Sequence, residues 1–147
     1  ALKEGAIVAG ASDADADNLY DFGINVGLGF QLKDDLLDVY GDSTNFGKRI
    51  GGDILCNKKT FLLINALEDN VSKVELMKWI SKTEYNEDDK IKAVTAIYDK
   101  LKLKEKSEEL IRKYYRKAIS CLDEVNVDKS KKNELYSLAE HLMSRIS

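Results

Sequence analysis

The stretch Gly29-Phe30-Gln31-Leu32-Lys33-Asp34-Asp35-Leu36-Leu37-Asp38-Val39-Tyr40-Gly41-Asp42 decides how this chain is read. It sets Gln31, Asp34, Asp35 and Asp38 into an otherwise apolar run. At about 100° per residue, Gly27, Gln31, Asp34 and Asp38 fall within roughly 60° of one another on a helix. Leu28, Phe30, Leu32, Leu36, Leu37, Val39 and Tyr40 take up the rest of the circumference. A helix apolar nearly all round is expected to be buried, so its polar stripe is buried too or lines a cavity. Carboxylates are costly to bury unless they are paired or bind a cation. An Asp-Asp pair in a polar helix is ordinarily a solvated face or a partner for Lys or Arg. Here the neighbours are apolar, the spacing is i, i+1, i+4, and a glycine-rich basic loop follows. The pattern points to a cavity whose carboxylates hold a divalent metal.

The rest of the chain is consistent with one helical domain. Its 147 residues are enough for a packed core, and 44% hydrophobic with 33% charged residues is a globular balance. Proline is absent, which suits long uninterrupted helices. No apolar run has the length of a membrane span, and no signal-peptide pattern opens the chain. Cys56 and Cys121 lack metal-ligand spacing, and reduced thiols in the cytoplasm are the simplest account of them. A net charge of −3 argues against nucleic acid as a partner.

Residues 1–12 read as the tail of a helix already under way, so the chain is expected to be part of a longer protein. Ser12 and Asp13 look like N-cap residues for a helix over 15–40, with acidic Asp15 and Asp17 in its first turn. A calcium loop over the same acids fails, because its sixth position would be Asn18 and its twelfth Ile24. Residues 41–52 form a loop with four glycines around Lys48 and Arg49; the spacing is not that of a P-loop. A helix is expected over 53–67, passing through Lys58 and Lys59. Of these adjacent lysines, one could point back to the carboxylates. Amphipathic helices follow over 71–83, 87–103 (capped by Asn86), 107–125 and 128–146. No strand alternation is visible. His141, the one histidine, has no Ser or Cys partner that would make a hydrolase triad.

Phe30-Gln31 followed by Asp34-Asp35-Leu36-Leu37-Asp38 resembles the second aspartate-rich motif of the trans-type isoprenyl diphosphate synthases. Gly41-Asp42, Gly47-Lys48, Gly51-Gly52-Asp53-Ile54 and Lys58-Lys59-Thr60 follow in that family's order and spacing. The resemblance covers about 27–67; beyond it the helices match in character only. It implies an all-α, antiparallel helical bundle of the isoprenoid synthase type, of which residues 1–147 are the C-terminal part of a single domain. It also implies a prenyltransferase that condenses isopentenyl diphosphate with an allylic diphosphate, using Mg2+. The complete protein is expected to be a homodimer with no membrane span.

By resemblance, Asp34 ligates the metal, with Asp35 and Asp38 assisting. Lys48 and Lys58 hold the diphosphate, and Gln31 faces the reacting carbon. The family's first aspartate-rich motif and the basic residues for isopentenyl diphosphate are missing, so this stretch alone is expected to be inactive. Two other readings compete. A related all-α terpene cyclase lacks its Asn/Asp, Ser/Thr, Glu metal triad here. A non-catalytic helical partner subunit would bind no diphosphate with magnesium.

Overall fold

The computed structural model describes residues 1–42 and 50–144. These form eight helices with no strand among the described residues: α1 Leu2–Val8, α2 Asp13–Tyr40, α3 Gly52–Leu55, α4 Phe61–Glu68, α5 Asn70–Ser81, α6 Glu87–Lys100, α7 Leu103–Asp123 and α8 Lys129–Ser144. The chain divides into two compact units, Ala1–Gln31 with Glu109–Ser147, and Leu32–Glu108. α2 and α7 each contribute residues to both.

In the first unit α2 starts where the cap pattern predicts. Ser12 Oγ accepts the Asp15 N–H at 3.1 Å, and Asp13 and Asp15 complement the helix dipole. Phe22 packs with Ala118, Leu122, Val125 and Ala139 in this unit's core, flanked by Leu19, Val26 and Leu135. A buried lysine closes α7. Lys132 Nζ donates to the carbonyls of Leu122 and Val125, both at 3.0 Å, where the helix end leaves acceptors without intrahelical partners.

The second unit is built on a larger core of Val39, Ile54, Leu62, Leu63, Ala66, Leu76, Val94, Ile97, Tyr98 and Leu103. Side-chain caps delimit its helices. Thr60 Oγ1 accepts the Leu63 N–H, Asp69 accepts from Ser72, and Asn86 accepts from Asp89. Lys102, at φ 55°, separates α6 from α7.

Two expectations are corrected. The single helix over 53–67 is two helices, α3 and α4, with a turn between them. Asn57 there is left-handed at φ 54°, and Thr60 caps a new helix rather than continuing the old one. Nor is α2 buried all round. Phe22, Leu36 and Val39 are buried, but Ile24, Leu28 and Phe30 are 45%, 43% and 42% exposed.

Candidate functional site

The second unit brings Asp34, Asp35, Asp38, Asp53 and Lys58 into one electrostatic neighbourhood. Asp34 and Asp35 are consecutive on α2, so their side chains leave the helix about 100° apart. Asp34 is exposed, whereas Asp35 is only 6% exposed. Asp38, one turn further on, is half-buried.

Gly51 and Asp53 both bond to Asp38. The Gly51 N–H donates to the Asp38 carbonyl at 2.7 Å. Asp38 Oδ2 accepts the Asp53 N–H at 2.9 Å. α3 has no side-chain cap of its own, because its N-cap is Gly51. Asp38 therefore caps α3 from a different helix, placing a carboxylate where the backbone N–H groups are short of acceptors. Gly51 is required there. Its φ is +90°, and a Cβ would lie 2.7 Å from Ile91 Cδ1.

Lys58 follows the left-handed Asn57 and reaches back. Its Nζ lies 3.0 Å from Asp35 Oδ1 and 3.7 Å from Asp53 Oδ2. The hydrogen bond to Asp35 holds the Lys58 ammonium above the usual lysine range. Asp53 is raised as well: burial first, then the neighbouring Asp38, push its pKa up, and Lys58 only partly opposes them. Among the described residues, the charges that act on Asp53 are those of Asp34, Asp35 and Asp38, opposed by Lys58.

The geometry brings together Asp34, Asp35, Asp38 and Lys58 of the residues assigned from the sequence. Lys58 is the lysine that points back to the carboxylates; both it and Lys59 are exposed. Gln31 belongs to the first unit and is exposed. Lys48 lies outside the described residues. Among the described residues, Asp34 is open to solvent. Asp53 is absent from the sequence assignment. The Gly51-Gly52-Asp53-Ile54 match to the family's order is the signal that could have given it a role.

The donor set fits one class of ion. Among the described residues no three His, Cys, Asp or Glu side chains are placed to hold a metal by themselves. Magnesium does not need such a cage: it takes one or two carboxylates and fills the remaining octahedral positions with water and phosphate oxygens. An exposed Asp34 beside a half-buried Asp38 suits that mode, and hard oxygen donors do not suit a soft metal.

A family model described as Polyprenyl synthetase matches residues 1–98. The chain belongs to the polyprenyl synthetase family. It is 35% identical over 125 residues to a geranylgeranyl diphosphate synthase of Sulfolobus acidocaldarius, covering 83% of this chain and 37% of that relative. The crystal structure of a geranylgeranyl pyrophosphate synthase, 36% identical, superposes with a TM-score of 0.86 over 99% of this chain and 46% of that one. A geranylgeranyl pyrophosphate synthase from Corynebacterium glutamicum, solved with isoprenyl diphosphate and magnesium, is 29% identical, with a TM-score of 0.81 over 96% of this chain and 40% of that one. The chain therefore spans less than half the length of these relatives. Its fold is the all-α isoprenoid synthase bundle of this family, in part. No helix among the described residues is long and apolar enough to cross a membrane.

The charges around Asp53 in this polyprenyl synthetase family member have a measurable consequence. Folded Asp53 holds its proton more tightly than an unfolded aspartate does, so its charge opposes folding above the ordinary carboxylate range. That cost is relieved as pH falls through the raised value. Asp53→Asn is expected to stabilise the protein at about pH 7, by up to about 1 kcal/mol for a partly solvated charge. The gain should shrink towards about pH 4. Urea unfolding at the two pH values measures it.

Proposed function

We propose that this chain is the C-terminal portion of a magnesium-dependent prenyltransferase. The complete protein would condense isopentenyl diphosphate with an allylic diphosphate to form a longer prenyl diphosphate. The observation that carries this reading is the carboxylate group Asp34, Asp35, Asp38 and Asp53 with Lys58 set into it. It is built on the aspartate-rich helix of a polyprenyl synthetase family member.

Ionisation of an allylic diphosphate separates a carbocation from a diphosphate that gains negative charge. Magnesium, when bound, would supply Lewis-acid neutralisation of that charge. Asp34 would offer an exposed carboxylate to the ion. Asp38 would offer Oδ1, while Oδ2 stays engaged with the Asp53 N–H. Asp35 acts differently. Only 6% exposed and 3.0 Å from Lys58 Nζ, it holds that ammonium in place. Lys58 then presents a fixed positive charge to a phosphate oxygen, oriented before the leaving group develops its charge. Lys48 is proposed to join it, and Gln31 to face the reacting carbon, both by family resemblance alone. Homodimerisation and a cytoplasmic setting belong to the same proposal. So does the inactivity of this stretch by itself.

The full-length protein, supplied with a short allylic diphosphate, isopentenyl diphosphate and magnesium, is expected to release a longer prenyl diphosphate, and chelation should stop it. Release of a cyclised hydrocarbon would instead identify a terpene cyclase. Absence of magnesium-dependent diphosphate binding would leave only a non-catalytic partner.

A further inference from the structure

Lys90 has no place in the chemistry described so far, yet it is one of the most deeply buried side chains of the second unit, at 1% exposure. Burying an ammonium is costly unless its hydrogen bonds are replaced. Burial draws its pKa below the usual lysine range. What replaces water is specific. Lys90 Nζ donates to Asn57 Oδ1 at 2.8 Å and sits 4.5 Å from the centroid of the Tyr85 ring.

Asn57 is the left-handed residue that precedes Lys58. Its Nδ2 donates to the Ile80 carbonyl at 3.5 Å, at the end of α5. The Tyr85 hydroxyl donates to the Leu55 carbonyl at 3.3 Å, at the end of α3. Three separate points, Ile80, Tyr85 and Lys90, thus grip the turn that leads into Lys58. Asparagine reaches the left-handed region more readily than most residues, and here its side chain is held from two sides, by Lys90 Nζ and by the Ile80 carbonyl. The direction in which Lys58 leaves the backbone is set one residue earlier, by that conformation.

We propose that Lys90 is a positioning residue: through Asn57 it locks the left-handed turn that aims Lys58 at Asp35 and Asp53. Its effect on prenyl transfer rests on the function proposed above; the positioning itself does not.

The test uses the full-length protein carrying Lys90→Met, which keeps the chain length and removes the charge. Amine labelling followed by mass spectrometry reads Lys58, with exposed Lys59 as the internal control. Lys58 labelling is expected to rise about fivefold as its ion pair loosens, with Lys59 changing less than about twofold. The kcat/KM for the allylic diphosphate should fall about tenfold, the scale of one charge-assisted contact, with kcat carrying most of the loss because Lys58 meets charge that develops on the leaving group. In a Lys58→Met background the same change should add nothing to that loss.

Unchanged Lys58 labelling overturns the proposal. So does an equal rise at Lys58 and Lys59, which marks general loosening. If Lys90→Met does not fold, Asn57→Ala removes the acceptor and disfavours the left-handed backbone, and is judged by the same two outcomes. A wild-type protein without prenyl transfer would sink the functional reading while the labelling still decides the positioning.

Discussion

Asp34→Ala in the full-length protein is expected, on the function proposed above, to lower prenyl-transfer turnover by about two to three orders of magnitude, the scale of losing a group that stabilises transition-state charge. Folding stability should change by less than about 0.5 kcal/mol, because Asp34 is exposed. Asp38→Ala should separate from it. Asp38 also caps α3 through the Asp53 N–H, so its loss is expected to cost about 1 kcal/mol of stability besides activity. Steady-state kinetics over a magnesium titration, with urea unfolding of both variants, checks the contrast. Near-normal turnover of Asp34→Ala at saturating magnesium refutes the metal role.

Gly51→Ala is expected to destabilise the protein by about 3 kcal/mol. About 1–2 kcal/mol comes from holding an L-residue in the left-handed region at φ +90°. The remainder is overpacking, typically about 1–3 kcal/mol. The new methyl would meet Ile91 at 2.7, 2.8 and 3.0 Å, and two of those atoms are the branched γ carbons, which cannot swing aside independently. Gly10→Ala provides the comparison. Its φ is +83° but nothing lies within 4 Å of its Cβ, so only the conformational cost of about 1–2 kcal/mol is expected. Chemical denaturation of the two variants measures the difference. Gly51→Ala should also weaken activity, because Gly51 starts the helix that carries Asp53 to Asp38.

Much of the helical layout is legible in the residues. Ser12 and Asn86 cap helices where their side chains and the following periodicity indicate. Thr60 is equally readable as a cap, yet the apolar run after it and the acceptable pattern before it read as one continuous helix. Glycine placement marks the turn at Gly51, though not the Ile91 side chain that makes it obligatory.

Periodicity, capping and motif spacing were enough for the all-α class, the aspartate-rich helix and the resemblance to the family. Each of these signals acts within a few residues along the chain. Other features needed the fold. Lys58 rather than Lys59 meets Asp35, Asp38 caps a helix fifteen residues away, and Asp53 joins the carboxylates. Ile24, Leu28 and Phe30 stay open while Leu36 and Val39 are covered. The physical reason is range. A side chain's direction follows from its own backbone, but the partner it meets and the solvent it loses depend on segments that folding alone brings alongside it.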